Sequence, residues 1–371
     1  MASLLDRTRW VIIGAGFAGA STAWAIGRAG LGPGVILEQE TTYGFHASGR
    51  NAALLRMAEA EPVVLALLLR SAGHIRQLDR ADEPLVRPTG GLTLVGPAAA
   101  AELQHHHDMF LRAGLETTLL SAAQARSRFP LLHAVQFDTA LWCPSEGIVD
   151  IHALLTLYLH LARDRGVTLS TGHRAEGLLV EAGRVTGVHT SRGDVRADIV
   201  IDASGAWAGR LGRSSAALPL QPLRRHLFML GAPAGGHHDC PFTWMEDAGF
   251  YFRPEGDGLL CSPCDETPMP PCDPPTDPAA ADLLAEKLAR DAPAFADLPL
   301  RRSWACLRTF TPDRRPLVGP DPDLAGLFHV SGLGGFGVGT SAAIGELASL
   351  ILSGRSPDWI DRAAVDPNRL R

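Results

Sequence analysis

The stretch Trp10-Val-Ile-Ile-Gly14-Ala-Gly16-Phe-Ala-Gly19, followed by Val35-Ile-Leu-Glu38, decides the fold. Trp10 to Ile13 is a short β-branched apolar run of the kind that forms a buried strand. Gly14 permits a tight turn, Gly16 lets a backbone approach a pyrophosphate, and Gly19 lets a helix pack closely on a strand. A helix reaching about Ala29 follows. Gly30 to Gly34 is then a turn, and Val35 to Glu38 reads as a second strand. Such a unit is parallel and right-handed. Pyrophosphate oxygens suit the helix N-terminus, where free N–H groups and the dipole favour negative charge. Glu38 closes the second strand 24 residues after Gly14, placed to accept hydrogen bonds from ribose hydroxyls. A plain glycine-rich turn does not explain that acid.

Two further stretches favour a flavin dinucleotide over a nicotinamide one. Asp202-Ala-Ser-Gly-Ala-Trp207 follows an apolar strand with small residues, as a backbone passing close to a cofactor requires. Ser331-Gly-Leu-Gly-Gly-Phe-Gly-Val-Gly-Thr340 joins a strand (327–331) to a helix (340–352), giving a second helix N-terminus behind a glycine loop. That end suits negative charge on a flavin ring. Between these stretches the pattern is helical over 52–79 with Pro62 at a helix start, and it predicts a strand at 90–95 and helices over 98–113 and 151–165. Short strands follow at 167–170, 177–181, 185–190, 199–203, 220–230, 249–253 and 259–262. A proline-rich loop (263–278) and a helix over 279–290 complete it. The expected fold is α/β (α+β overall). A Rossmann-like FAD-binding domain is assembled from 1–85, 146–217 and 301–371, with an inserted mixed β-sheet substrate domain from 86–145 and 218–300.

Bulk properties narrow the function. A net charge of −6 gives no footprint for nucleic acid. The longest purely apolar run, Val63 to Leu69, is far short of the roughly 20 residues a bilayer span needs, so at most peripheral membrane association is expected. Glycines at 14, 16 and 19 break the stretch after Arg7 and Arg9, which argues against a signal peptide and for a cytoplasmic protein. Six scattered cysteines suit a reducing compartment. Cys261-x-x-Cys264 lacks a matching ligand pair at zinc spacing, and His105 to His107 face different directions on a helix, so no metal is expected.

These stretches, with His46-Ala-Ser-Gly-Arg-Asn-Ala-Ala53, Trp304-Ala-Cys-Leu-Arg308 and Thr311-Pro-Asp313, resemble the D-amino-acid oxidase-type (DAO) family of FAD-dependent oxidoreductases over nearly the whole chain. Leu220 to Arg225 and Phe250 to Pro254 also resemble its D-arginine dehydrogenase and glycine oxidase-like members. The resemblance implies FAD contacts from Gly14, Ala15, Gly16, Phe17, Ala18 and Gly19, and from Glu38 and Gln39. It adds Ser48, Arg50, Asn51 and Ala52, then Ala175, Ala203, Gly205 and Trp207. Cys306, Gly332, Gly334, Gly335, Phe336, Gly337 and Thr340 complete the set. It implies a substrate-carboxylate clamp in Arg308, a tyrosine over the substrate in Tyr251, a further polar contact in Arg225, and a group facing the substrate side chain in Arg56. Arg56 and Glu59 also read as a solvated pair three apart on a helix.

The implied reaction is hydride loss from the Cα of an amine next to a carboxylate, giving an imino acid that hydrolyses; no general base is implied. Alternatives are a 2-hydroxy-acid dehydrogenase and an electron-relay subunit without its own substrate. Three departures matter. Cys306 stands where some members attach the flavin covalently. Val338 replaces a carboxylate-holding lysine, which disfavours sarcosine. The chain's one lysine, Lys287, lies on an expected surface helix, which tilts the reading towards a dehydrogenase passing electrons to a quinone or carrier rather than to oxygen.

Overall fold

The computed structural model describes residues 7–79, 82–211, 218–234 and 237–371. Strands Arg7–Ile13, Gly34–Leu37, Val167–Ser170, Gly193–Asp202 and Leu327–Ser331 lie parallel. Their spatial order is 167–170, 34–37, 7–13, 193–202, 327–331. In order of appearance along the chain that is third, second, first, fourth, fifth, the doubly wound arrangement. Its order reverses between Arg7–Ile13 and Gly193–Asp202, which opens a crevice at their carboxyl ends. Val11, Ile12, Ile36, Val200 and Ile201 are almost wholly buried. Each such side chain contributes roughly 1.5–3 kcal/mol. Trp10, Ile12, Ile36 and Ile201 face the helices, while Val11, Ile13, Val35 and Val200 pack with Val185 and Val188 of the strand Arg184–Thr190, so both faces are covered and these strands are apolar without alternation.

The helices that bear on the crevice are tightly joined. Phe17–Arg28 packs against Ser341–Leu352 so closely that a Cβ on Gly345 would lie 2.3 Å from the Ser21 carbonyl. Trp24 stacks on Tyr158 of helix Ile151–Arg163 at 5.2 Å. None of the described helices is long and apolar enough to cross a membrane.

A second, mainly antiparallel sheet runs in the order 267–268, 221–230, 258–262, 250–255, 242–245, 91–95, 139–143, 118–121. Strand Leu300–Phe310 pairs along the whole of Gln221–Leu230, from Gln221 opposite Phe310 to Leu230 opposite Leu300. The boundary expected at 301 therefore falls inside a strand of this sheet, and the one expected at 217 lies outside the described residues. A small third sheet joins Leu54–Leu55 and Val86–Arg87 to Gly147–Val149.

That third sheet corrects the helix expected over 52–79. The helix is Pro62–Leu78. Glu61 caps it by accepting the Val64 N–H at 2.8 Å, and Pro62 sits at the first helical position, where its missing N–H costs nothing. Lys287 is also not a free surface lysine. It is half-buried on helix Pro278–Asp291 and donates to the Gly249 and Pro263 carbonyls at 2.7 and 2.8 Å, bracing the two strands beneath.

Candidate active site

A cavity of about 820 Å³ occupies the crevice. Its floor is the first glycine turn. Gly14 adopts φ +101°, and a Cβ there would meet the Ala203 carbonyl at 2.7 Å; a Cβ on Gly16 would meet Ser48 Oγ at the same distance. Ser48 Oγ accepts the Phe17 N–H at 3.0 Å, securing the helix entry. At one end Glu38 is buried, its carboxylate accepting from the Ala15 and Glu40 amides at 2.9 and 3.0 Å. Burial pushes its carboxyl above the ordinary value and those amides resist the push. Asp202 fixes the opposite wall: it accepts from the Ser204 and Gly209 amides at 3.2 and 3.1 Å and so shapes the Ala203–Trp207 turn. His46 lies 4.6 Å from Trp207, ring to ring, and 2.9 Å from Glu40 Oε1. At the far end the cavity reaches Cys306, Arg308 and the Gly332–Gly335 loop, where a Cβ on Gly335 would lie 2.9 Å from Arg308 Nη1. A Cβ-free cradle at each end, a volume in the cofactor range and an acid at the ribose position fit FAD.

Most sequence-predicted cofactor residues line this space: Gly14, Gly16, Phe17, Ala18, Glu38, Gln39, Ser48, Arg50, Asn51, Ala175, Ala203, Gly205, Trp207, Cys306, Gly332, Gly334, Gly335 and Gly337. Others stand elsewhere. Ala15 gives its amide to Glu38, and Gly19 packs against Gly14, where a Cβ would lie 1.9 Å from the carbonyl. Buried Thr340 donates to the Phe336 carbonyl at 2.9 Å. Ala52 and Phe336 line a second cavity. Sequence reasoning missed Glu40, Arg174, Arg210 and Asp273 on the cavity wall.

The second cavity, about 390 Å³, shares Asn51, Arg308, Gly335 and Val338 with the first. Alternation along Leu300–Phe310 puts Cys306 and Arg308 on one face, and Cys306 stands opposite Arg225 on the neighbouring strand. Tyr251 comes from strand Phe250–Glu255. Arg225 donates to the Asp265 carbonyl at 2.7 Å and to Glu266 at 3.0 Å, while its buried Nη1 has no partner. Glu266 is shared with Arg314. Burial, then the nearby Arg308 charge, hold the Arg225 pKa below its ordinary value. The Tyr251 hydroxyl is buried beside Ser262 and Arg308 without a hydrogen bond of standard geometry. Tyr251 stacks on Trp244 at 4.8 Å, and the Arg56 guanidinium lies over Trp244 at 4.4 Å.

Arg56 is paired with Glu59 at 3.0 Å and Glu246 at 3.3 Å, so its charge is already balanced where the resemblance has it face the substrate side chain. Arg308 differs. Among the described residues no carboxylate lies within ion-pair distance of it, and it faces both cavities. Trp244 and Glu246 had no sequence signal, because strand Phe242–Met245 was not foreseen.

The comparisons agree with this geometry. The family model for FAD dependent oxidoreductases (DAO) matches residues 9–350. FAD-dependent oxidoreductase domain-containing protein 1 of Bos taurus is 26% identical over 402 aligned residues, covering 94% of this chain and 82% of that protein. The 4-methylaminobutanoate oxidase (formaldehyde-forming) of Paenarthrobacter nicotinovorans is 27% identical, covering 99% of this chain and 46% of that protein. Among solved structures, glycine oxidase from Geobacillus kaustophilus superposes with a TM-score of 0.83 at 22% identity, covering 98% of this chain and 99% of that one. L-proline dehydrogenase from P. horikoshii gives 0.86 at 20% identity, covering 98% and 97%. With its crevice, its two glycine cradles and a family match over most of its length, the chain belongs to the DAO family of FAD-dependent oxidoreductases and is an enzyme that uses FAD.

Proposed function

We propose that this enzyme oxidises a primary or secondary amine alpha to a carboxylate, in a D-amino acid or N-substituted amino acid. Bound FAD supplies the two-electron acceptor. The chain's residues supply position. Arg308 offers a planar fork without a carboxylate partner among the described residues, at the junction of the two cavities and suited to bidentate grip on a carboxylate. Arg225 Nη1 and the Tyr251 hydroxyl are buried polar atoms at the same site, neither held by a protein hydrogen bond of standard geometry. Held this way, the Cα–H bond points towards the large cavity. The unprotonated amine loses hydride from Cα and its lone pair closes the C=N bond; water then hydrolyses the released imino acid. Relatives whose names specify amine substrates, including sarcosine dehydrogenase of Mus musculus and the methylaminobutanoate oxidase, support the substrate class.

The observation that carries this reading is Arg308, which has no carboxylate partner among the described residues. Anaerobic mixing of the FAD-loaded enzyme with D-amino acids, N-methyl amino acids and 2-hydroxy acids tests it, with bleaching of the flavin band as readout. Bleaching by amines upholds the reading, whereas bleaching by hydroxy acids alone, or by nothing in the panel, overturns it. Neither cavity is lined by lysine, and Lys287 is spent on two carbonyls, so we read the enzyme as a dehydrogenase with a quinone or carrier as acceptor. Cys306 lines the large cavity, but burial holds its thiol above the ordinary value against the pull of Arg308, which favours non-covalent FAD.

A further inference from the structure

Glu146 takes no part in the reaction above, yet it is only 2% exposed. It lies just before strand Gly147–Val149. Its Oε1 accepts two consecutive backbone amides, Met57 N–H at 2.5 Å and Ala58 N–H at 2.6 Å. Its Oε2 lies against Gly91, where a Cβ would come within 1.9 Å. Arg56, the cation that acts on it, is committed to Glu59 and Glu246. A buried carboxylate is costly unless its hydrogen bonds serve something.

What these bonds hold is the wall of the second cavity. Segment 51–61 supplies Arg56, Glu59 and Glu61 to that wall. It is stitched to the neighbouring strand through Leu54 opposite Ile148, Leu55 opposite Gly147, and Val149 N–H to the Ala53 carbonyl at 2.8 Å. Beyond Leu55 the pairing stops, and Glu146 takes over at Met57 and Ala58. The Glu59 amide then closes a turn onto the Met57 carbonyl at 2.8 Å.

We propose that Glu146 is a positioning residue: its ionised carboxylate fixes the Met57–Ala58 backbone, and thereby places Arg56 and Glu59 around the substrate. This rests on the second cavity being the substrate site. Burial pushes the Glu146 carboxyl up to about 7, against the Ala58 amide, the Arg56 charge and the Met57 amide, with Glu59 adding to the push. The other titratable neighbour, Cys143, has its thiol pushed up to about 12 by burial and by Glu146, and stays neutral. Above that carboxyl range the charged form grips both amides. Below it the neutral acid accepts more weakly and the wall slackens.

Two measurements test this on the full chain loaded with FAD. Propanoate is an unreactive carboxylate without an amine, ionised between pH 5.5 and 8.5 on about the usual carboxyl scale; its dissociation constant is read from the perturbed flavin spectrum. In the wild type the constant rises roughly five-fold as pH falls through the Glu146 range, as expected for replacing charged by neutral hydrogen bonds. In Glu146→Gln it is raised and flat over that interval. Hydrogen exchange of the 54–61 peptide, corrected for intrinsic rate, reports the clamp without any ligand. Wild-type protection falls at low pH and is lost in Glu146→Gln. Unchanged protection in that variant, or an unaltered pH profile of binding, overturns the proposal. If propanoate perturbs the flavin at no pH, the carboxylate-site reading fails while exchange still judges the clamp. If Glu146→Gln does not fold, wild-type protection that is constant with pH is the refuting result.

Discussion

Replacing Arg308 by alanine separates binding from folding, because among the described residues no carboxylate pairs with this guanidinium. A bidentate carboxylate clamp makes two charge-assisted hydrogen bonds, each worth about 1.5–3 kcal/mol. Arg225 stays nearby and retains part of the attraction, but Glu266 already offsets its charge. The expected loss is therefore about 3 kcal/mol, on the order of a hundredfold in kcat/KM. Arg308→Lys regains a point charge without the fork and should recover only part of it. Stability should change little, since the guanidinium has no carboxylate partner among the described residues and its desolvation is opposed by the neighbouring Tyr251 and Cys306. Steady-state kinetics on the best panel substrate and urea unfolding followed by circular dichroism check both halves. If Arg308→Ala keeps kcat/KM within threefold, or loses several kcal/mol of stability, the clamp is misassigned and Arg308 is structural.

Three further outcomes are expected. Gly19→Ala drives a Cβ into the Gly14 carbonyl and should unfold the nucleotide unit, whereas Gly16→Ala meets only the Ser48 hydroxyl and should keep the fold while losing FAD; melting temperature and retained flavin colour distinguish them. At Glu346 burial opposes the charge, but the Arg70 fork and His74 outweigh it and bring the carboxyl to about 2. Being depressed below its unfolded value, it stabilises the fold at neutral pH and loses that contribution as pH falls towards about 2; Glu346→Gln should be less stable at pH 7 and show a shallower acid decline in urea titrations. Acid precipitation should leave the yellow colour in the supernatant, and a coloured pellet that turns colourless in Cys306→Ala would show a covalent bond instead.

The nucleotide half was legible because its demands are local. A turn at positive φ and a helix approaching a strand each require glycine at fixed spacing, and Glu38 must close the second strand. Arg308 was legible only through resemblance, since nothing in Trp304 to Arg308 states that it lacks a counter-ion. Segment 52–61 was misread as helix because its apolar residues suit either state, and the deciding contacts come from Gly147 and Ile148, over ninety positions on. Glu146 was invisible for the same reason. The amides it holds are 88 and 89 residues away, and no periodicity records them.

The backbone contact between Gly345 and Ser21 also bears on how the protein is made. The first glycine turn and its helix leave the ribosome before the helix that packs against them, which comes more than three hundred residues later. At about 5–20 residues per second, the nascent strand and helix wait on the order of half a minute for their partner. During that interval the helix face that carries Ser21 and Ala25 has no permanent cover from Ser341–Leu352, which makes the nascent chain, rather than the finished enzyme, the species most in need of a chaperone.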